Sequence, residues 1–232
     1  MMPRLLSTVL SPLCCLYCGY LDGNAVGVVM PPPEAQAAVE QFKKRLLALD
    51  SRTAAALINV YGPIWQRLEA DIVSLMEEVT NTQMTFQQVL RLRRLEALQE
   101  QVTREMSRFA GVANGSITAA QREALDLSAR SARATVDAAL PRGIDTQLLA
   151  RVGIEWNNLP AGALEAFAGI AGDGAPLSKL LTPLGAEARD GILRGLAEGI
   201  ALGKGPRETA ALIRNRFGMP LTRALNISRT ET

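Results

Sequence analysis

Phe86-Gln87-Gln88-Val89-Leu90-Arg91-Leu92-Arg93-Arg94-Leu95-Glu96-Ala97-Leu98-Gln99-Glu100-Gln101-Val102-Thr103-Arg104-Glu105-Met106-Ser107-Arg108-Phe109 is the stretch that decides the fold class. Phe86, Val89, Leu92, Leu95, Leu98, Val102, Met106 and Phe109 recur three or four residues apart, close to a coiled-coil spacing over three heptads. Charges and amides fill most of the positions between. That period is helical and predicts a helix beginning near Thr85 with one buried seam.

The same period runs outward in both directions. Upstream, Pro33-Glu34 sets proline and an acid at a helix start, and Val39, Phe42, Leu46 and Leu49 follow to about Asp50. A second segment after Ser51 carries Leu57, Ile58, Ile64, Trp65, Leu68, Ile72, Leu75, Met76 and Val79, with Gly62-Pro63 read as a kink or break and Asn81-Thr82 as the end. Downstream, Thr118-x-x-Gln121 has the pattern of a capping box and predicts the start of a further helix. Its stripe, Ala120, Ala124, Leu127, Ser131, Ala134 and Ala138, is small and predicts a tightly packed neighbour. Residues 31–141 therefore read as an elongated region of helix hairpins with coiled-coil-like seams.

Composition agrees with an all-α class and removes many chemistries. Apolar residues make up 48% of the 232-residue chain, charged residues 21% and aromatic residues only 4%, a globular, helix-favouring mixture. There is no histidine. Ser-His-Asp and Cys-His nucleophile systems, His-ligated zinc and imidazole acid–base catalysis are thereby excluded. Cys14, Cys15 and Cys18 cluster near the start, so no disulfide framework spans the chain, and Cys15-x-x-Cys18 lacks the second pair that a zinc site needs. No metal, cofactor or catalytic residue is assigned. The net charge of +2 excludes a polycationic DNA wrapper but leaves local basic patches open.

Residues 1–30 form a separate problem. Arg4 and Asp22 are their only charges, and Leu5–Leu21 is an uncharged apolar run interrupted by Pro12. The favoured reading is an over-extended start, with translation beginning at Met30 and these residues poorly packed; the alternatives are a weak signal or anchor, or a disordered tail. The run is shorter than the roughly 20 residues that a membrane span needs, so no stable membrane insertion is expected.

Pro141-Arg142-Gly143 is the expected boundary of a second, smaller helical domain over 142–232. A loop-rich stretch with Trp156 and Pro160 leads to the turn-like Gly172-Asp173-Gly174-Ala175-Pro176. Ala186–Leu202 then reads as a helix on which Gly191, Gly195 and Gly199 stand four apart, with Gly203 as its stop. Each interior glycine costs about 1 kcal/mol of helix propensity against alanine, which predicts a groove for a closely packed element. In the next helix, Pro206 takes a first helical position, Glu208 the positive first turn, and Gly218 a left-handed stop. Ala210, Ile213 and Phe217 form its buried face, expected to meet Leu221, Ala224 and Leu225 of a last helix across Gly218-Met219-Pro220.

The run Gly205-Pro206-Arg207-Glu208-Thr209-Ala210, then Ile213-Arg214-Asn215-Arg216-Phe217-Gly218, then Arg229-Thr230-Glu231 resembles the phage head-morphogenesis family, the Mu F-like minor head proteins. The likeness extends upstream through Asp173-Gly174-Ala175-Pro176-Leu177 and covers roughly Trp156 to Glu231. In that family Arg-Thr-Glu leads into a further helix and a segment with Trp, Asp-Arg and His. This sequence stops one residue after Glu231, which reads as a truncated, split or processed version.

The resemblance implies a non-enzymatic minor capsid protein of a tailed bacteriophage. Such a protein acts in head assembly, portal association or DNA delivery, is made in the host cytoplasm and resides in the virion at the head interior or portal vertex. Its implied partners are the portal protein, capsid or scaffold proteins, and packaged double-stranded DNA. Arg207, Arg214, Arg216, Arg223 and Arg229 are the candidate contacts. The alternative reading is a DNA-binding helical protein, because residues 189–229 hold 8 basic side chains against 3 acidic ones. A hydrolase built on Glu208 or Glu231 beside Thr209 or Thr230 is disfavoured, since Glu208 already has an ordinary role at a helix N-terminus.

Overall fold

The computed structural model describes residues 31–140 and 166–232. Helices α1 (Pro33–Asn81), α2 (Phe86–Val89), α3 (Arg93–Ala139), α4 (Leu177–Leu181), α5 (Leu184–Ala201), α6 (Pro206–Phe217) and α7 (Met219–Glu231) follow in that order. The architecture is all-α. Among the described residues there is no strand, only one antiparallel bridge between Ile170 and Pro176. The N-terminal reading, the cysteines, the Pro141–Gly143 boundary and Trp156 lie outside the described residues.

Two long helices, α1 and α3, form an antiparallel hairpin. Its seam is made by Leu57, Ile64, Leu68, Ile72 and Leu75 from α1 and by Leu95, Leu98, Val102, Met106, Phe109, Ala113 and Ile117 from α3, all buried. Ion pairs Arg52–Glu123 (2.5 Å), Arg67–Glu105 (3.1 Å) and Arg94–Glu78 (3.3 Å) bridge the hairpin at three levels. Pairs this exposed contribute little stability and act mainly on register. At the turn, Gln83 takes φ 50°. The amides of Gln83 and Met84 then donate to the carbonyls of Thr80 and Val79 at 3.3 and 3.1 Å, closing α1. Thr85 opens α2 with a capping box, its backbone N–H donating to the Gln88 side chain at 2.8 Å.

Several local expectations are corrected. Gly62-Pro63 does not break α1, which runs through as one helix of 49 residues. Both residues are exposed, while Tyr61, Ile64 and Trp65 on either side are buried. Packing on the inner face clamps the helix, and the hydrogen bond that proline cannot make is lost on the solvent side. Thr118-x-x-Gln121 starts no helix; it lies inside α3, whose seam passes without a change of register from Phe109 through Ala113 and Ile117 to Ala120 and Ala124. The helix expected from Thr85 is divided, with Leu90–Leu92 turning between α2 and α3. Gly218 is not left-handed. It has φ −67° and ψ −16° and serves as the C-cap of α6 and the N-cap of α7 at once.

The glycine groove is present. A Cβ on Gly195 would stand 2.5 Å from Ile213 Cγ1, and one on Gly199 would stand 2.4 Å from the Thr209 side chain. Side chains at these positions would push α6 off α5, so the glycines set the distance between the two helices. Gly203 has φ +60°. The amides of Gly203 and Lys204 donate to the carbonyls of Ile200 and Gly199 at 3.1 and 2.9 Å, the expected helix stop.

The C-terminal helices share one core with the hairpin, a cluster that runs from Leu57 to Ile227. Its aromatic centre is Tyr61, Phe109 and Phe217, with ring centroids 5.0 Å (Tyr61–Phe109) and 5.4 Å (Tyr61–Phe217) apart, and Trp65 lies 5.3 Å from Phe217. Phe217 is thus received by α1, a partner the sequence reading did not foresee. The Tyr61 hydroxyl donates to the Phe217 carbonyl. That carbonyl is one of the last four of α6, which have no partner inside their own helix. Burial pushes the Tyr61 phenol well above its ordinary range.

Candidate interaction surface

Most of the motif residues serve α6 and its neighbours. Gly205 is the N-cap, Pro206 the first helical residue, and the Glu208 carboxylate accepts the Gly205 N–H at 3.4 Å. Thr209 is fully buried against Gly199, and its hydroxyl donates to the Lys204 carbonyl at 3.4 Å. Ala210, Ile213 and Phe217 are buried as expected. These positions are consumed by capping and packing.

Arg229-Thr230-Glu231 meets the loop that contains the upstream extension of the motif. The Gly172 N–H donates to Glu231 Oε2 at 2.6 Å, tying the last turn of α7 to the Gly172–Pro176 loop. That loop is a tight turn: Gly174 has φ +81°, and the amides of Ala171 and Gly174 donate to the carbonyls of Ala175 and Ala171, each at 2.8 Å. Asp173 Oδ1 accepts the Ala175 N–H at 2.9 Å. From the other side, Gln121 of α3 accepts the Gly169 N–H at 2.8 Å and donates to the Ile170 carbonyl at 3.0 Å. Thr230 bonds back within α7, to the Asn226 carbonyl at 3.0 Å. Sequence reading missed the role of Gln121. Its one signal was an amide inside an alanine stripe, where a buried polar group must find partners.

The five candidate arginines divide. Arg216 pairs with Glu198, Arg223 with Glu187, and Arg229 with Asp50 at 3.7 Å. These carboxylates come from α5 and α1, so three of the five cations are already paired with another helix. Arg207 and Arg214 are exposed and have no ion-pair partner among the described residues. Seven residues apart, they share one face of α6 and add to Arg189 and Lys204, which likewise have no ion-pair partner among the described residues.

Beside Arg214 lies a groove of about 630 Å³ between α1 and the α6–α7 junction, walled by Ile58, Trp65, Phe217 and Leu221. Ile58 is 49% exposed there, whereas Phe217 is 1% exposed and forms part of the floor. Among the described residues no group of three or more Cys, Asp or Glu side chains gathers as a metal site, and no helix is long and apolar enough to cross a membrane. The arrangement offers docking surfaces built on rigid helices: an α6 face with two free guanidinium groups, and an apolar groove next to it. No protein-family model, curated protein or solved structure matches this chain.

Proposed function

We propose that the chain is a non-enzymatic minor head protein of a tailed bacteriophage, acting in head assembly, portal association or DNA delivery. The observation that supports this reading is that Arg229-Thr230-Glu231, one part of the resemblance, is joined to the loop that leads into its upstream extension. The Gly172–Pro176 loop and Arg229-Thr230-Glu231 are 59 residues apart at their contact, and Glu231 joins them directly. Its free surface is helical and carries Arg207 and Arg214, and the chain has no histidine with which to do acid–base chemistry at neutral pH. On this reading the protein is made in the host cytoplasm and ends in the virion.

Co-expression with the portal and scaffold proteins of the same genome tests the proposal. The expected result is co-purification with the portal ring, weakened by Arg207→Ala with Arg214→Ala while the melting temperature is unchanged. Mass spectrometry of virions and empty procapsids should find the chain as a minor component. Its absence from both, with no portal association, overturns the proposal. Retention on double-stranded DNA that falls steeply with salt, without portal association, favours the DNA-binding alternative.

A further inference from the structure

We infer that the groove between α1 and the α6–α7 junction is a self-association surface, closed by a second copy of the chain around a two-fold axis. Its floor is apolar, from Trp65, Phe217 and Leu221, and Ile58 stands at its edge 49% exposed. Its two rims carry opposite charges: Glu69 on α1 and Arg214 on α6. Neither has an ion-pair partner among the described residues, and they do not pair with each other across the groove. The contrast with the neighbouring arginines is direct, because Arg216, Arg223 and Arg229 each meet a carboxylate from another helix.

The rim pattern is self-complementary. A partner segment of one charge sign would satisfy one rim and oppose the other. A surface that presents both signs in reversed order is provided by this same surface turned by a two-fold rotation, which sets Arg214 of each copy against Glu69 of the other. The exposed amides follow the same symmetry, Gln66 on the α1 rim and Asn215 on the α6 rim. Ile58 of each copy supplies an apolar knob for the facing groove. Each charge pair is formed twice in the dimer, so a single reversal acts twice.

Sedimentation velocity of the full chain over a range of concentrations provides the test. The expected result is a monomer–dimer equilibrium that weakens with salt. Arg214→Glu and Glu69→Arg should each raise the dissociation constant by about tenfold or more, and the double reversal should restore it. Circular dichroism melts show whether each variant is folded, and either single reversal suffices if the other is not. A monomer at every concentration, with the groove left to another segment or another partner, overturns the inference. So does a dimer indifferent to Arg214→Glu, or one that the double reversal leaves weak.

Discussion

Two levels of the α1–α3 hairpin use the same helices in different company. Nearer the N-terminus of α1, Leu49 is buried with Ala120 and Ala124, with Leu46 packed against them, as a small cluster of their own that α7 and the 169–172 loop reach through polar contacts of Asp50 and Gln121. Near the middle of the hairpin the seam is covered by a further layer: Tyr61 and Trp65 meet Phe217 of α6, and Phe109 closes the group from α3. Alanine lets two backbones approach but buries little apolar area, whereas each aromatic ring buries much and demands a third helix to cover it. Stability in this molecule should therefore be concentrated where α6 lands on α1. The residue types, rather than the helix lengths, set that gradient.

Phe217→Ala is the sharpest way to break this comparison. It should cost about 3–5 kcal/mol, against about 2 kcal/mol for Leu49→Ala in the alanine-lined cluster. Urea unfolding of both variants measures the difference, and equal losses would remove the gradient. The glycine groove comes next. Gly199→Ala drives a Cβ into Thr209 and should cost about 1–3 kcal/mol. Gly115→Ala, on an exposed part of α3 with nothing within 4 Å, should stabilise by up to about 1 kcal/mol. Thermal melts giving the two changes the same sign would show that close approach is not what these glycines serve.

The smallest effect concerns pH. The Tyr61 phenol titrates higher in the folded chain than in the unfolded one, where it ionises near pH 10. Its neutral form is thus favoured by folding. The associated stability is fully present below about pH 10 and is lost as the unfolded chain ionises above it. Tyr61→Phe should lower stability by about 1 kcal/mol at neutral pH through the lost bond to the Phe217 carbonyl, and should flatten the decline above pH 10. Melts at pH 8 and pH 11 separate the two components. An undiminished alkaline decline in the variant would assign that decline to other groups.

The local features of this fold are written locally. Apolar spacing predicts the helices, Pro206 and Glu208 the start of α6, Gly203 the end of α5, and the Gly191–Gly195–Gly199 row the groove that α6 fills. Each depends on residues within one or two turns, where propensity, capping and period act. The candidate arginines were also visible as a basic excess in residues 189–229.

Tertiary structure decided what lay beyond that range. Pro63 looks like a break until the packing of Ile64, Trp65 and Leu68 holds α1 together, and Thr118-x-x-Gln121 looks like a cap until α1 covers the stripe on either side of it. Gln121 finds Gly169 and Ile170 some 48 residues away, and Phe217 finds Tyr61 at a separation of 156 residues. Which arginines are free likewise depended on carboxylates from other helices, Glu198, Glu187 and Asp50. A sequence determines its local periods and caps by itself, because those interactions span a turn or two. It leaves to the folded state which helix continues, which amide is bridged and which charge stays uncommitted, because the groups that decide these come together only when the chain has closed on itself.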